Sequence, residues 1–158
     1  MRVSTYYLNS IFSDWRIMDI GFTGTQNGMT TNQSVATHHL LHEFDPNRVR
    51  HGMCVGADKQ FHDICRSMGL YIIGHPGITS RGTVWNRADC DVDEIEPELP
   101  FLDRNTVIAQ RCDILIATPE QIDEQIRSGT WSTIRRVWKL HKSAFIIYPN
   151  GIVEERGG

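Results

Sequence analysis

At 158 residues, with 40% hydrophobic and 22% charged side chains, the chain is long enough for one domain with a genuine buried core. A net charge of -3 supplies no overall basic footprint, so nucleic acid is an unfavoured partner. No window approaches the run of about 18 apolar residues that spans a bilayer, and the N-terminus lacks the apolar stretch of a signal peptide. A cytoplasmic chain with no membrane partner is the expectation.

Residues 1–15 carry Tyr6, Tyr7, Leu8, Ile11 and Phe12 and read as an N-terminal arm. Residues 16–150 read as the domain, and 151–158 as a polar tail. Ile17 to Phe22 forms a first apolar strand. It runs into the turn Thr23-Gly24-Thr25-Gln26-Asn27-Gly28-Met29, which is rich in hydroxyl and amide groups suited to a phosphate, ribose or base edge. A helix over 31–44 follows, capped by Thr30 or Thr31 and closed by Asp45-Pro46. Residues 48–54 make a second strand, and Gly56-Ala57-Asp58 turns tightly into a helix over 59–68, where Asp58 is also a plausible N-cap. A third strand, 70–74, ends in His75-Pro76-Gly77.

Residues 78–100 show no apolar period and carry an acidic run, Asp91, Asp93, Glu94, Glu96 and Glu98. A connection of that length reads as a lid, a binding loop or a mobile segment. Order resumes with a helix over 103–111, headed by Arg104-Asn105, and a buried strand over 113–117 that runs into Thr118-Pro119. A further helix begins at Arg127-Ser128-Gly129-Thr130-Trp131-Ser132-Thr133 and extends to 142, before a last strand over 144–148. Ser128 is a good N-cap there, and Gly129 allows close approach to the backbone. The free N–H groups and the helix dipole suit an anion, with Arg127, Thr130 and Thr133 as extra donors.

The alternation predicts an α/β, Rossmann-like single domain. Its five-stranded parallel sheet takes the order 3-2-1-4-5, with helices on both faces. Ligands bind such sheets outside the carboxyl ends, at the switch between the first and fourth strands. Thr23–Met29, Thr118-Pro119 and the 127–133 helix start all converge there.

The four cysteines form no CxxC pair and read as reduced thiols. His51 and Cys54, three apart on a strand, face opposite ways, so a zinc site with His62 and Cys65 is disfavoured. His38 and His42 beside Glu43 match no metal motif and read as a solvated helix face. No metal is expected. The Gly21-x2-Gly24-x3-Gly28 spacing is not a conventional dinucleotide fingerprint.

Taken together, TGTQNGMT, HGMCVGAD, GHPG, RNTVIAQRCDILIATP and RSGTWSTIR, in this order, resemble the SLOG superfamily of Rossmann-like nucleotide-binding proteins. The likeness is to the DNA-processing protein A-like and molybdenum-cofactor-carrier-like branches. The resemblance implies one nucleotide pocket. Its lining would be Thr23, Gly24, Thr25, Gln26, Gly28, Met29, Gly56, Ala57, Asp58, His75, Pro76, Arg104, Asn105, Thr118, Pro119, Arg127, Ser128, Gly129, Thr130, Trp131 and Thr133. It also implies a homo-oligomer. The phosphoribohydrolases of this superfamily carry a catalytic glutamate in GTxxE, where this chain has Thr133. A nucleotide-binding sensor, carrier or sequestering protein is therefore expected ahead of an N-glycosidic hydrolase, with a DNA-binding mediator third. If the chain is a hydrolase, Asp58 is the candidate acid. No cofactor beyond the nucleotide or nucleotide-derived ligand is implied.

Overall fold

The computed structural model describes residues 17–157; the expected N-terminal arm lies outside them. The strands are β1 (Asp19–Gly24), β2 (Arg48–His51), β3 (Tyr71–Gly74), β4 (Gly77–Ile78), β5 (Glu94–Ile95), β6 (Leu99–Pro100), β7 (Ile114–Thr118), β8 (Ser143–Ile147) and β9 (Val153–Gly157). The helices are α1 (Thr31–Phe44), α2 (Ala57–Ser67), α3 (Phe101–Arg111) and α4 (Gly129–Lys139).

Strands β3-β2-β1-β7-β8 run parallel in the expected order. The sheet has seven strands rather than five, because each edge gains one more. On one side β5 pairs parallel with β3. On the other, β9 pairs antiparallel with β8 from Ser143↔Gly157 to Ile147↔Val153. The end of the chain is thus a strand and not simply a polar tail. As an edge strand it needs no apolar alternation, and its charged residues block further pairing.

Period 2 along the strands sends alternate residues to opposite faces. Ile20, Phe22, Val49, Ile72, Ile114 and Ile116 pack against α1 and α2, with Phe22 stacked on Phe61 at 4.1 Å. Leu115, Ala117, Ala144 and Ile146 pack against α3 and α4. Helix α1 opens on a capping box: Gln33 N–H donates to Thr30 Oγ1 (3.1 Å) and Thr30 N–H to Gln33 Oε1 (3.0 Å). The buried Gln33 amide also donates to the carbonyls of Pro119 (2.8 Å) and Ile147 (2.9 Å), tying α1 to the ends of β7 and β8. At the other end of the molecule Lys142 Nζ donates to the carbonyls of Ala109, Gln110 and Cys112 at 2.8–2.9 Å. It closes the C-terminus of α3, where orphan carbonyls and the negative dipole end favour a cation.

The segment over 78–100 is pinned by its backbone. Asp93 N–H donates to the Ile72 carbonyl, Glu96 to Gly74 and Ala88 to Met53, each at 2.9 Å. Its acidic run is partly structural: Asp93 accepts from Ile72 N–H (2.8 Å) and from Arg66 (2.8 Å). The segment follows the carboxyl ends of β2 and β3.

On the α3 face, the start of the sheet holds a buried ion cluster. Asp19 takes two bonds from Arg50 (2.7 and 2.6 Å) and one from Arg48 (2.6 Å), and Arg50 also donates to His75 Nε2 (2.9 Å). Both Asp19 and Arg50 are 2% exposed. Breaking such a pair from one side strands a buried charge. Asp19→Ala should therefore lower unfolding free energy by about 3–5 kcal/mol in urea titrations.

Candidate functional site

The carboxyl ends of β1, β2 and β7 meet around Gly24. A Cβ there would overlap Thr118 Oγ1 and stand 2.5 Å from Ala57 Cβ, so these elements close together only over a glycine. Thr25 N–H donates to the Thr118 carbonyl (3.1 Å), and Ala57 N–H donates to the Thr25 carbonyl (2.9 Å). Gly56, at φ +85, lies so near the Gln26 carbonyl that any side chain would strike it. The turns after β1 and β2 are locked to each other.

These turns form the floor of a cleft of about 540 Å³. At the β7 side stands the start of α4. Ser128 Oγ accepts from Trp131 N–H (3.2 Å), and the Ser128 carbonyl accepts from Ser132 N–H (2.8 Å). The N–H groups of Gly129 and Thr130 have no acceptor among the described residues. Nothing lies within 4 Å of where a Gly129 Cβ would be, so the approach is open. The Arg127 side chain stands exposed at the same rim. Trp131 lies on the wall, and its Nε1 is one of two buried side-chain polar atoms without a partner among the described residues.

At the β2 side the wall holds Cys54, Asp58, Trp85, Phe101 and Arg104. Arg104 is fixed by the protein: Nη1 donates to the carbonyls of Gly52 (2.6 Å) and His75 (3.0 Å), and Nε to Asn105 Oδ1 (3.0 Å). Nη2 meets only the Cys54 sulfur, at 3.8 Å. The guanidinium lies over the Phe101 ring at 5.3 Å, and Trp85 meets that ring edge-on at 6.1 Å. Asp58 accepts from Cys54 N–H (3.1 Å) and caps no helix through its side chain; the N-cap of α2 is Gly56. Burial pushes the Asp58 carboxyl up to about 6, against the opposing pull of Arg104. Burial likewise pushes the Cys54 thiol up to about 11, so it is a neutral group at physiological pH.

Of the residues the sequence singles out, Thr23, Gly24, Thr25, Gln26, Asp58, Arg104, Asn105, Arg127, Ser128, Gly129, Thr130 and Trp131 line this one cleft. The others do not line it. Ala57 and Thr118 pack beneath Gly24, the Pro119 carbonyl holds Gln33, and Met29 N–H bonds Gln60 (2.6 Å) beside Gly28. His75 is engaged by Arg50, and burial with the adjoining Arg50 and Arg104 charges holds it down at about 3. Its neighbour Pro76 accepts from Leu99 N–H (3.3 Å) through its carbonyl. Thr133 turns into its own helix, donating to the Gly129 carbonyl (3.1 Å).

The cleft also gains Asn27, Cys54, Trp85, Asn86, Phe101, Leu102, Glu120, Gln121 and Gln125. Two of these carried a signal: Asn27 sits in the polar Thr23–Met29 turn, and Trp85 is a lone aromatic in a segment with no apolar period. Asn27 donates to Glu120 (2.9 Å) and Asn86 to Gln26 (2.9 Å), so the side chains bridge across the mouth.

Outside the cleft, ligand atoms of His51, His62 and Cys90 lie within 4.8 Å of one another. The hydrogen bonds do not suit a metal. Met53 N–H donates to His51 Nδ1 (3.0 Å), so neutral His51 carries its proton on Nε2, and that proton points at His62 Nδ1 (3.0 Å). Burial, His62 and His75 hold His51 at about 3, in its neutral form.

An open doubly wound sheet with its cleft at the β1/β7 switch defines a Rossmann-like α/β fold. No family model and no curated protein matches the sequence. Among solved structures, the chain is similar to the molybdenum cofactor binding protein of Rippkaea orientalis. The TM-score is 0.63 at 21% identity, over 84% of this chain and 77% of that one. It is also similar to DNA processing protein A of Streptococcus pneumoniae (TM-score 0.58, 18% identity, 82% of this chain and 50% of that one). The single-stranded-DNA-binding DNA processing protein A of Helicobacter pylori matches with a TM-score of 0.56 at 16% identity, over 90% and 68%. These likenesses establish the fold. No described helix is long and apolar enough to cross a membrane.

The Asp58 carboxyl has a measurable signature. The folded chain holds its proton more tightly than the unfolded chain, whose value is near 3.8. The stability associated with this group is full below about pH 4 and lost as pH rises to about 6, a change of about 3 kcal/mol. Asp58→Asn should flatten the wild-type slope across that window when urea unfolding is followed from pH 4 to 7.

Proposed function

We propose that the chain binds a nucleotide or nucleotide-derived small molecule across the cleft, as a sensor, carrier or sequestering protein. The observation that carries this reading is the start of α4. Two free N–H donors at a helix N-terminus, open space above Gly129 and an adjacent guanidinium together suit a phosphate. The amide-rich β1 turn supplies groups for a ribose, and Trp85 and Phe101 supply aromatic surface for a ring. The Rippkaea orientalis protein, which binds a cofactor in a similar fold, is in line with a small-molecule ligand. Net acidity and the Asp58 and Glu120 carboxylates in the cleft weigh against a nucleic-acid strand.

Gly129→Asp is a clean test, because the added side chain meets nothing in the fold and places a carboxylate where the phosphate docks. Calorimetric titration with nucleoside monophosphates should show at least a tenfold loss of affinity at an unchanged melting temperature, since removing charged hydrogen bonds costs about 1.5–3 kcal/mol. Unchanged affinity in this variant would place the phosphate elsewhere.

Catalysis of N-glycosidic cleavage by the glutamate mechanism lacks its acid, because Thr133 is neutral and bonded within its own helix. General acid–base assistance is worth about 10²–10⁴-fold. Chromatography of nucleotides incubated with the wild-type protein should accordingly show no appreciable free base. Robust release would overturn the binding-protein reading and direct attention to Asp58, whose carboxyl at about 6 is poised for proton transfer.

A further inference from the structure

Asp58 presents a physical problem that the phosphate site does not address. It is 6% exposed, lies on the cleft wall, and has Arg104 nearby, yet the two do not pair. Arg104 spends its donors on Gly52, His75 and Asn105, leaving Nη2 with a single long contact to sulfur. Asp58 accepts from Cys54 N–H through Oδ2, with the Gly52 backbone and the Cys54 thiol beside it, and has no ion pair within 4.0 Å among the described residues. A buried carboxylate without an ion-pair partner is costly, and its persistence in a cleft marks a group that meets its partner in a ligand.

The chemistry of that partner follows from the two groups. An ionised carboxylate only accepts hydrogen bonds, and a guanidinium only donates them. The complementary ligand edge therefore presents adjacent donors to Asp58 and an acceptor to Arg104 Nη2. A guanine edge has this pattern, with an exocyclic amine and a ring N–H beside a carbonyl oxygen. Adenine offers one donor beside a ring nitrogen, and hypoxanthine lacks the amine. Each leaves one side of the carboxylate unmatched.

Position agrees with chemistry. Strands β7 and β2 flank β1 in the sheet, two strand spacings apart, about 10 Å. A phosphate at the start of α4 thus sets the ribose opposite the β1 turn and the base at the start of α2. There Phe101, with Arg104 over its ring and Trp85 perpendicular to it, lines the cleft along with Asp58. We propose that Asp58 and Arg104 form the specificity end of the cleft, reading the amine, ring N–H and carbonyl edge of a guanine nucleotide. This rests on the nucleotide reading given above. Asp58 is the specificity-determining residue, because it alone distinguishes guanine from hypoxanthine.

The test is a set of affinities at pH 7.5, by calorimetry, for GMP, IMP, AMP and 2′-deoxy-GMP. The wild type should bind GMP at least tenfold more tightly than IMP or AMP, the value of a hydrogen bond to a charged group. Asp58→Asn should abolish the preference for GMP over IMP, lowering GMP affinity more than IMP affinity, with a thermal melt verifying the fold. The wild-type ranking needs no variant, so a misfolded Asp58→Asn leaves the proposal testable. Equal affinities for GMP and IMP in the wild type would overturn it. So would a uniform fall for all ribonucleotides in Asp58→Asn together with weak wild-type binding of 2′-deoxy-GMP, which would assign Asp58 to the ribose. Failure of every nucleotide to bind the folded wild type would defeat the nucleotide reading itself. Binding without base discrimination would defeat only this proposal.

Discussion

The mouth of this molecule depends on the absence of two side chains. At Gly24 the β1 chain passes so close to Thr118 and Ala57 that a single methyl group would push three elements apart. At Gly56 the same holds against the Gln26 carbonyl, with the added demand of a positive φ. Because the turns touch, Ala57 N–H reaches the Thr25 carbonyl and Thr25 N–H reaches Thr118. A cleft with a fixed floor results, and the groups at its two ends keep their separation.

The two ends differ in character. At α4 the backbone offers donors that the fold leaves unused, while at α2 a carboxylate and a guanidinium stand side by side with most of the guanidinium already committed. Arg104 illustrates how a residue can serve both purposes. Two of its bonds hold the turns after β2 and β3 together through Gly52 and His75, and Gly52 has no room for a side chain beside that guanidinium. Truncating Arg104 would loosen the wall as well as remove a contact, and for that reason Gly129 and Asp58 are better places to probe binding.

The sheet core and the start of α4 were legible in the sequence because they obey local rules. Apolar runs such as Ile114–Thr118 can only be buried strands between helices, and Ser128 at the head of an apolar-periodic stretch marks a helix start. What lay outside those rules went unread. Strand β9 is charged and sits at an edge, where pairing needs backbone rather than a hydrophobic pattern. The bonds of the 78–100 segment are backbone bonds too, so its path left no periodic trace. His75 and Thr133 look like site residues by type and place in the chain. The first answers to Arg50, 25 residues earlier in the chain and on the neighbouring strand, the second to a carbonyl one turn away, and neither partner is visible from the motif alone.

That backbone stitching of the 78–100 segment has a bearing on how such a protein can change. Main-chain bonds to Ile72, Gly74 and Met53 hold most of its course, with the Asp93 carboxylate adding bonds from Ile72 N–H and Arg66. Trp85 and Asn86, which it leans over the cleft, are thus tethered at their roots, and their tips meet the Phe101 ring and the Gln26 amide. A new residue at Trp85 would alter what the cleft admits without disturbing the route of the chain, whereas Asn86 holds a positive φ (59) that few residues adopt. The fold thereby separates the part that must stay fixed from the part that is free to acquire a different ligand.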